Sequence, residues 1–372
     1  MIDGLILHNF KAFRALRLPV SKLTVLTGAN SSGKSTVLQA IGLIRQSLAM
    51  YPEGNVVALN GDIVQLGTGR DLRHERWDDS DDIGGDIGVT IEANARVATI
   101  RAAYVADSET LSLERNVDAL DTMRLLGGRD FQYVRANRMA PATTYERSYR
   151  AVVEQHTLGA QGQFAVDFLR TYGDEYEVDA ALAGDDRASR SLLSQTEAWL
   201  GRISPGTNLD VEPLDGTDTV RLAFQVGRTG LESSNKYRPT NVGFGLAYVL
   251  PIIVASLISK PGGILIVENP EAHLHPAGQS AMGYLLAACV RAGTQVIVET
   301  HSDHVVNALR ISVKRGTLLP TDLGLKFFSR SERGEPNVSS LQVSPDGTLP
   351  DWPVGFFDEF GDALVALTSD DG

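Results

Sequence analysis

Residues 28–36 read GANSSGKST, which fits the spacing G-x-x-x-x-G-K-[ST] of a phosphate-cradling loop. In such a loop successive backbone N–H groups surround phosphate oxygens, and Gly28 and Gly33 let the backbone come close. Lys34 is placed to reach the β- and γ-phosphates, and the Ser35 hydroxyl to ligate Mg2+. Asn30, Ser31, Ser32 and Thr36 complete the expected cradle. An apolar strand (KLTVLTG) enters the loop. A helix with Val37, Ile41, Ile44 and Leu48 on one stripe leaves it, so the anion would sit at a helix N-terminus. The expected ligand is a nucleoside triphosphate. No Asn-Lys-x-Asp stretch for reading guanine is present, which points to ATP with Mg2+.

A second stretch, LIVENPEAHLHP at 265–276, carries acids at the end of an apolar strand. Hydrolysis of a phosphoanhydride needs one carboxylate near Mg2+ and a base for the attacking water. Glu268 ends the strand, but Asn269 follows it, and an amide can orient water without accepting its proton. Glu268 or Glu271 must then supply the base, or turnover is slow. His273 and His275 stand two apart after a strand, a spacing that fits a turn better than a zinc pair.

The elements that must position these residues are legible in outline. Single helices separate the C-terminal strands: helix 243–259, strand 263–268, helix 277–292, strand 294–300, helix 303–315, strand 324–329. That alternation implies parallel crossovers in an α/β sheet. Residues 86–134, ending in FQYVRA, alternate like antiparallel strands. From about 140 to 205 the chain reads as irregular and helical, with a helix near 189–201, and a strand returns at 219–226. The expected organisation is an N-terminal ATPase part over 1–75 and antiparallel strands with an inserted, mainly helical lid over 76–215. A C-terminal ATPase part follows over 216–330, and a short C-terminal domain over 331–372. The insert shows no sustained heptads, so a coiled-coil arm is not expected.

The chain has 372 residues, 43% hydrophobic and 22% charged, with a formal net charge of −12. This is the composition of a folded protein, and the acidic balance argues against broad nonspecific affinity for nucleic acid. Cys289 is the only cysteine and lies in an apolar stretch, so no intramolecular disulfide can form. The most apolar run, 244–258, is too short for a membrane span and contains Pro251. No secretory signal is read at the N-terminus, and the expected location is the cytoplasm.

The resemblance these residues carry is specific. LILHNFKAFRALRLPVSKLTVLTGANSSGKSTVLQAI resembles the start of the SMC/RecF/OLD branch of ABC-type ATPases, which places Asn-Phe-(Lys/Arg) before the phosphate loop. LNGDIVQLGTGRDLRH (59–74) resembles its Q-loop, and NVGFGLAYVLPIIVA (241–255) its degenerate signature helix. VENPEAHLHPAGQ resembles its second acidic strand, and VIVETHSDHVVNAL (296–309) its switch-histidine strand. GTLPDWPVGFFDEF (347–360) is similar to a short C-terminal domain of unknown function on bacterial ATPases of this kind. The resemblance implies a P-loop fold of ABC-ATPase type: a mixed sheet with flanking helices, an antiparallel β lobe and an inserted region. It implies that Gln65 senses Mg2+ and water, that Glu268 supports Mg2+, and that His301 contacts the γ-phosphate. Gly243 and Gly245 would offer amides to the nucleotide of an opposite subunit, without the usual serine hydroxyl.

A complete site of this branch needs two chains, so a homodimer closing on two ATP molecules is expected. The function implied is an ATPase that senses or regulates a partner such as a nuclease or toxin effector, in prokaryotic anti-phage defence. The alternative is a RecF-like ATPase acting directly on DNA. Two basic clusters would serve that alternative: Arg135, Arg138, Arg147 and Arg150, and Arg228, Lys236 and Arg238. After Arg330 only about forty residues remain, too few for a further nuclease domain. Trp352, Phe356 and Phe357 are expected to dock the tail on the core.

Overall fold

The computed structural model describes residues 1–77, 84–115, 126, 128–227, 235–332, 334–353, 356–357 and 366–368. Most of the acidic glycine-rich stretch after Trp77, and Arg228 of the second basic cluster, lie outside these residues. In the N-terminal part, β1 (Gly4–Phe10), β2 (Phe13–Pro19) and β3 (Leu23–Gly28) lead to α1 (Lys34–Met50). Then come β4 (Val56–Ala58), α2 (Gly69–Leu72), β5 (Ile87–Ala93), β6 (Arg96–Ala102), β7 (Thr110–Arg115) and β8 (Phe131–Val134). The middle holds β9 (Thr144–Glu146), α3 (Ala165–Tyr172), α4 (Leu192–Ile203), β10 (Thr207–Pro213) and β11 (Thr219–Val226). The last part runs α5 (Phe244–Leu257), β12 (Ile264–Glu268), α6 (Pro276–Arg291), β13 (Gln295–Glu299), α7 (Asp303–Lys314), β14 (Leu323–Arg330) and β15 (Pro336–Leu341).

The central sheet has the order β15-β14-β3-β13-β12-β8, in which only β15 is antiparallel to its neighbour. Its parallel strands are buried on both faces, and the alternation of side chains along them divides the protein into two cores. Leu26, Ile264, Ile266 and Ile297 face α1 and the antiparallel sheet β2-β1-β5-β6-β7-β4. Leu23, Val25, Leu265, Val267, Val296 and Val298 face the opposite core, built with α5, α6 and the inserted segment. The helix α5 is buried along nearly its whole length, as a helix apolar on all sides must be. Among the described residues no helix is long and apolar enough to cross a membrane.

FQYVRA differs from the sequence expectation. Its strand β8 does not join the antiparallel sheet but pairs in parallel with β12. All four residues of β8 are buried, the condition of a parallel strand covered on both faces. Gln132 is tolerated there because its amide donates to His156 O (2.7 Å).

The segment after β8 fixes the exit of β12. Arg138 is 4% exposed, and its guanidinium donates to the carbonyls of Arg135 (3.0 Å), Asn269 (2.8 Å), Tyr248 (3.1 Å) and Glu268. It also stacks on the Tyr248 ring at 4.3 Å. Burial pulls Arg138 down to about 10, opposed by Tyr248, Glu271 and Glu268, so it stays charged at neutral pH. The inserted segment has its own anchor: Trp199 on α4 is 2% exposed and donates its indole N–H to Leu182 O (2.9 Å).

Two outcomes follow for stability. Trp199→Ala should lower the unfolding free energy by about 3–5 kcal/mol in urea titration, through lost burial and the cavity left behind. Arg138→Lys should cost about 2–3 kcal/mol in the same assay, because an ammonium cannot present the fork that serves four carbonyls.

Candidate functional site

The loop between β3 and α1 is shaped by positive φ at Gly28 (125°), Ser31 (58°) and Gly33 (101°). A Cβ at Gly28 would lie 2.0 Å from the carbonyl oxygen of Phe328, and one at Gly33 would strike the Phe13 ring at 2.6 Å. Both glycines are therefore required by backbone conformation and by close approach. No side chain caps α1, and its first turn has no acidic residue, so its positive end is open to an anion. Ser32 is fully buried and donates to Ala29 O (2.7 Å). Arg330, at the end of β14, donates to Ser31 O (3.2 Å) and holds the loop from the other side.

This loop lines a cavity of about 930 Å3. Asn30, Ser31, Gly33, Lys34, Ser35, Thr36, Glu299 and His301 line it at the loop end; Lys11, Arg14, Arg73, Arg76 and Arg330 add positive charge around it. Lys34 is folded back, donating to Gly28 O (3.0 Å) and Ala29 O (2.6 Å). Its pKa is lowered by burial, opposed by Glu299.

The acids are distributed over two strands. Glu268 accepts from the Tyr133 hydroxyl (2.6 Å) on one oxygen and from Ala136 N (2.8 Å) on the other. The Tyr133 hydroxyl is raised well above its usual pKa by burial and by Glu268, so it remains a donor. Glu271 accepts from Thr300 Oγ1 (2.7 Å) and from the amide of His301 (2.8 Å). Burial depresses the His301 pKa, with Lys34 adding to the effect and Glu271 opposing it.

Sequence reasoning assigns no role to Glu299, the first residue of ETHSD, and the structure puts it against the loop. The Ser35 hydroxyl lies 3.0 Å from each of its oxygens. Burial, with Glu268 and Glu271 adding to it, pushes Glu299 up to about 7, against Ser35 and Lys34. The signal available in the sequence is an acid ending the apolar strand VIVE, the twin of LIVE at 265–268. Oxygen donors of this kind suit Mg2+, which is held by one or two carboxylates plus substrate phosphates rather than by a protein cage. Among the described residues no group of three or more His, Cys, Asp or Glu side chains is arranged to hold a metal ion by itself.

Other expected residues lie elsewhere. Gln65 is exposed in a turn bridged to Asn60 and does not line the cavity; Gln39, on α1, does. Gly243 caps α5 at the surface with open space around its Cα. Gly245 is buried, and a Cβ there would meet His273 O at 2.5 Å, so it serves the packing of helix against turn. Neither glycine lines the cavity. His273 packs edge-on against Tyr248 and at a tilt against Phe244 (centroids 4.9 and 4.6 Å), and the ring of His275 caps α6. In the basic clusters, Arg138 is engaged on carbonyls, Arg147 on buried Asp167 (3.7 Å), and Lys236 on Asp210 (2.8 Å) and Glu212 (2.9 Å). Arg150 and Arg238 are exposed. Cys289 is fully buried, which pushes its thiol up to about 11. Phe356 is 1% exposed and packs edge-on against Phe327, docking that part of the tail.

Comparison with known proteins gives the relatives of the chain. Residues 69–307 match the family model described as "AAA domain, putative AbiEii toxin, Type IV TA system". Residues 1–112 match an "AAA ATPase domain" and residues 318–367 a "Protein of unknown function (DUF3696)". The chain is 20% identical over 341 residues to an OLD nuclease of Thermus scotoductus, covering 85% of this chain and 61% of that protein. It thus spans less than two thirds of that relative's length. An SMC head, solved bound to the C-winged helix domain of ScpA, superposes with a TM-score of 0.52 at 18% identity, over 92% of this chain and 98% of that one. That likeness is one of fold. The chain belongs to the AAA-domain family matched over residues 69–307.

Proposed function

We propose that the chain binds and hydrolyses ATP with Mg2+, and that it closes as a homodimer on two nucleotides to regulate a partner effector. The observation that carries this reading is the loop cavity, where an uncapped helix N-terminus, Lys34, Ser35, Glu299 and His301 converge. Phosphate oxygens would take the amides of residues 30–36, and Lys34 would exchange its loop carbonyls for the β- and γ-phosphates. Ser35 and a carboxylate would hold Mg2+, which neutralises phosphate charge when bound. The chemistry is then one of positioning and charge stabilisation.

Glu271 is the better placed base. Both carboxylates have each oxygen hydrogen-bonded, but Glu268 is held from the β8 side by Tyr133 and Ala136, whereas Glu271 is held by Thr300 and by the amide of His301, a residue that lines the cavity. The second chain supports completion of the site. Gly243 and the N-terminus of α5 are exposed away from the cavity, beside a Phe244 that is 45% exposed, and a second copy would bring them to the nucleotide. The relation to an OLD nuclease supports a role in anti-phage defence beside a nuclease or toxin effector. Direct action on DNA, in the manner of RecF, is the second reading: Arg138 and Arg147 are engaged on carbonyls and on Asp167, whereas Arg150 and Arg238 are exposed.

Phosphate release and light scattering with ATP test the reading together. Lys34→Ala should abolish binding and dimerisation. Glu271→Gln should lower turnover by about a hundredfold or more and prolong the ATP-bound dimer. Turnover at the wild-type rate in both Glu268→Gln and Glu271→Gln would sink the assignment of the acids.

A further inference from the structure

The strand that normally provides both acids of such a site provides only one here, because Asn269 follows Glu268. The neighbouring strand supplies another. β13 lies between β3 and β12, with Glu299 opposite Leu26 on one side and Glu268 on the other. Adjacent strands are about 4.8 Å apart, so Glu299 starts one strand from the phosphate loop and Glu268 two strands, roughly 10 Å.

The partners of the carboxylates separate them further. The two oxygens of Glu268 accept from two different groups, both on the β8 side. Glu271 likewise has one donor on each oxygen, Thr300 and the amide of His301. Glu299 is 6% exposed, and the Ser35 hydroxyl is the one hydrogen-bond donor its two oxygens share among the described residues. A carboxylate has room for about four such bonds, and one so buried with a single shared donor is under-satisfied. Of the three acids, it alone lines the cavity. Its position fits a site completed by a cation.

We propose that Glu299 is the metal-side carboxylate of this site, paired with Ser35, and that Glu268 is a positioning residue that ties β12 to β8 through Tyr133 and Ala136. This rests on the ATP reading above and specifies which acid serves Mg2+. The Ser35 hydroxyl oxygen and Glu299 would hold Mg2+ from the protein side, where it would neutralise phosphate charge. Glu271 remains beside His301 to receive the proton of water.

The test is the Mg2+ dependence of binding of a fluorescent N-methylanthraniloyl ATP, with electron paramagnetic resonance of Mn2+ in the nucleotide complex as a direct reading of the metal. Wild type, Glu299→Gln, Glu268→Gln and Lys34→Ala are compared. Glu299→Gln should bind the analogue in EDTA as wild type does, yet need about tenfold or more Mg2+ for its enhancement and retain less Mn2+. Glu268→Gln should keep the wild-type Mg2+ midpoint and melt at a lower temperature. Glu299→Asp, which keeps the charge but withdraws it by one methylene, is read the same way should the glutamine variant not fold. An unshifted midpoint in folded Glu299 variants, or an equal shift in Glu268→Gln, overturns the assignment while leaving ATP binding intact. Failure of wild type to bind the analogue, or undiminished binding by Lys34→Ala, overturns the ATP reading and this assignment with it.

Discussion

The in-register parallel pairing of β3, β13 and β12 is the constraint on which the site depends. It brings the carboxyl ends of three strands to one edge, where loops leave the sheet and ligands of open α/β folds bind. Gly28 ends one strand, Glu299 the next and Glu268 the third. The pairing is maintained by apolar residues alternating to two separate cores, so a slip of one residue would exchange every side chain between them. The same slip would remove the acids from the phosphate loop. Folding and chemistry are therefore specified by one register.

Backbone polar groups at that edge are accounted for by long-range partners. Ala29 N donates to Phe328 O (3.2 Å), and Thr300 N to Leu26 O (3.0 Å). The loop is thus bound on both sides before any ligand arrives. Arg138 does the same for the exit of β12, with a charge buried among carbonyls and no directly paired carboxylate. Such a group is costly unless every donor is used, and here it organises Arg135, Tyr248, Glu268 and Asn269 at once. The inserted segment is in this way part of the site's support, through Tyr133, Ala136 and Arg138.

The sequence was most legible where period and punctuation agree. The helices and strands of 243–330 fall within a few residues of where apolar periodicity puts them, and the phosphate loop follows from its glycines alone. Strand pairing was not legible: four residues such as FQYV look alike in a parallel or an antiparallel setting, and only burial on both faces distinguishes them. Partners remote in sequence were equally hidden. Nothing near Arg138 announces that carbonyls more than a hundred residues away will take its charge, so it reads as surface. Glu299 is hidden by its neighbours, since His301 draws the functional reading of ETHSD while the acid facing the loop lies two residues before it. Gln65 shows the opposite error, a residue of the right type in a loop that turns its side chain to solvent.

Asn269 itself has a backbone explanation. It sits at φ 44°, in the left-handed region that asparagine tolerates better than most residues other than glycine. From there its N–H donates to Glu299 O (2.8 Å) and its carbonyl accepts from Arg138 (2.8 Å), continuing the β12–β13 pairing one residue beyond the strand. A glutamate at this position would have to adopt the same left-handed turn, which asparagine enters more readily. The turn then gives Pro270 and Glu271, and it carries the Glu271 carboxylate across to Thr300 and His301 on the neighbouring strand. Asparagine at 269 thus suits the turn that delivers an acid at 271, and its lack of a titratable group is no evidence that the site is disabled.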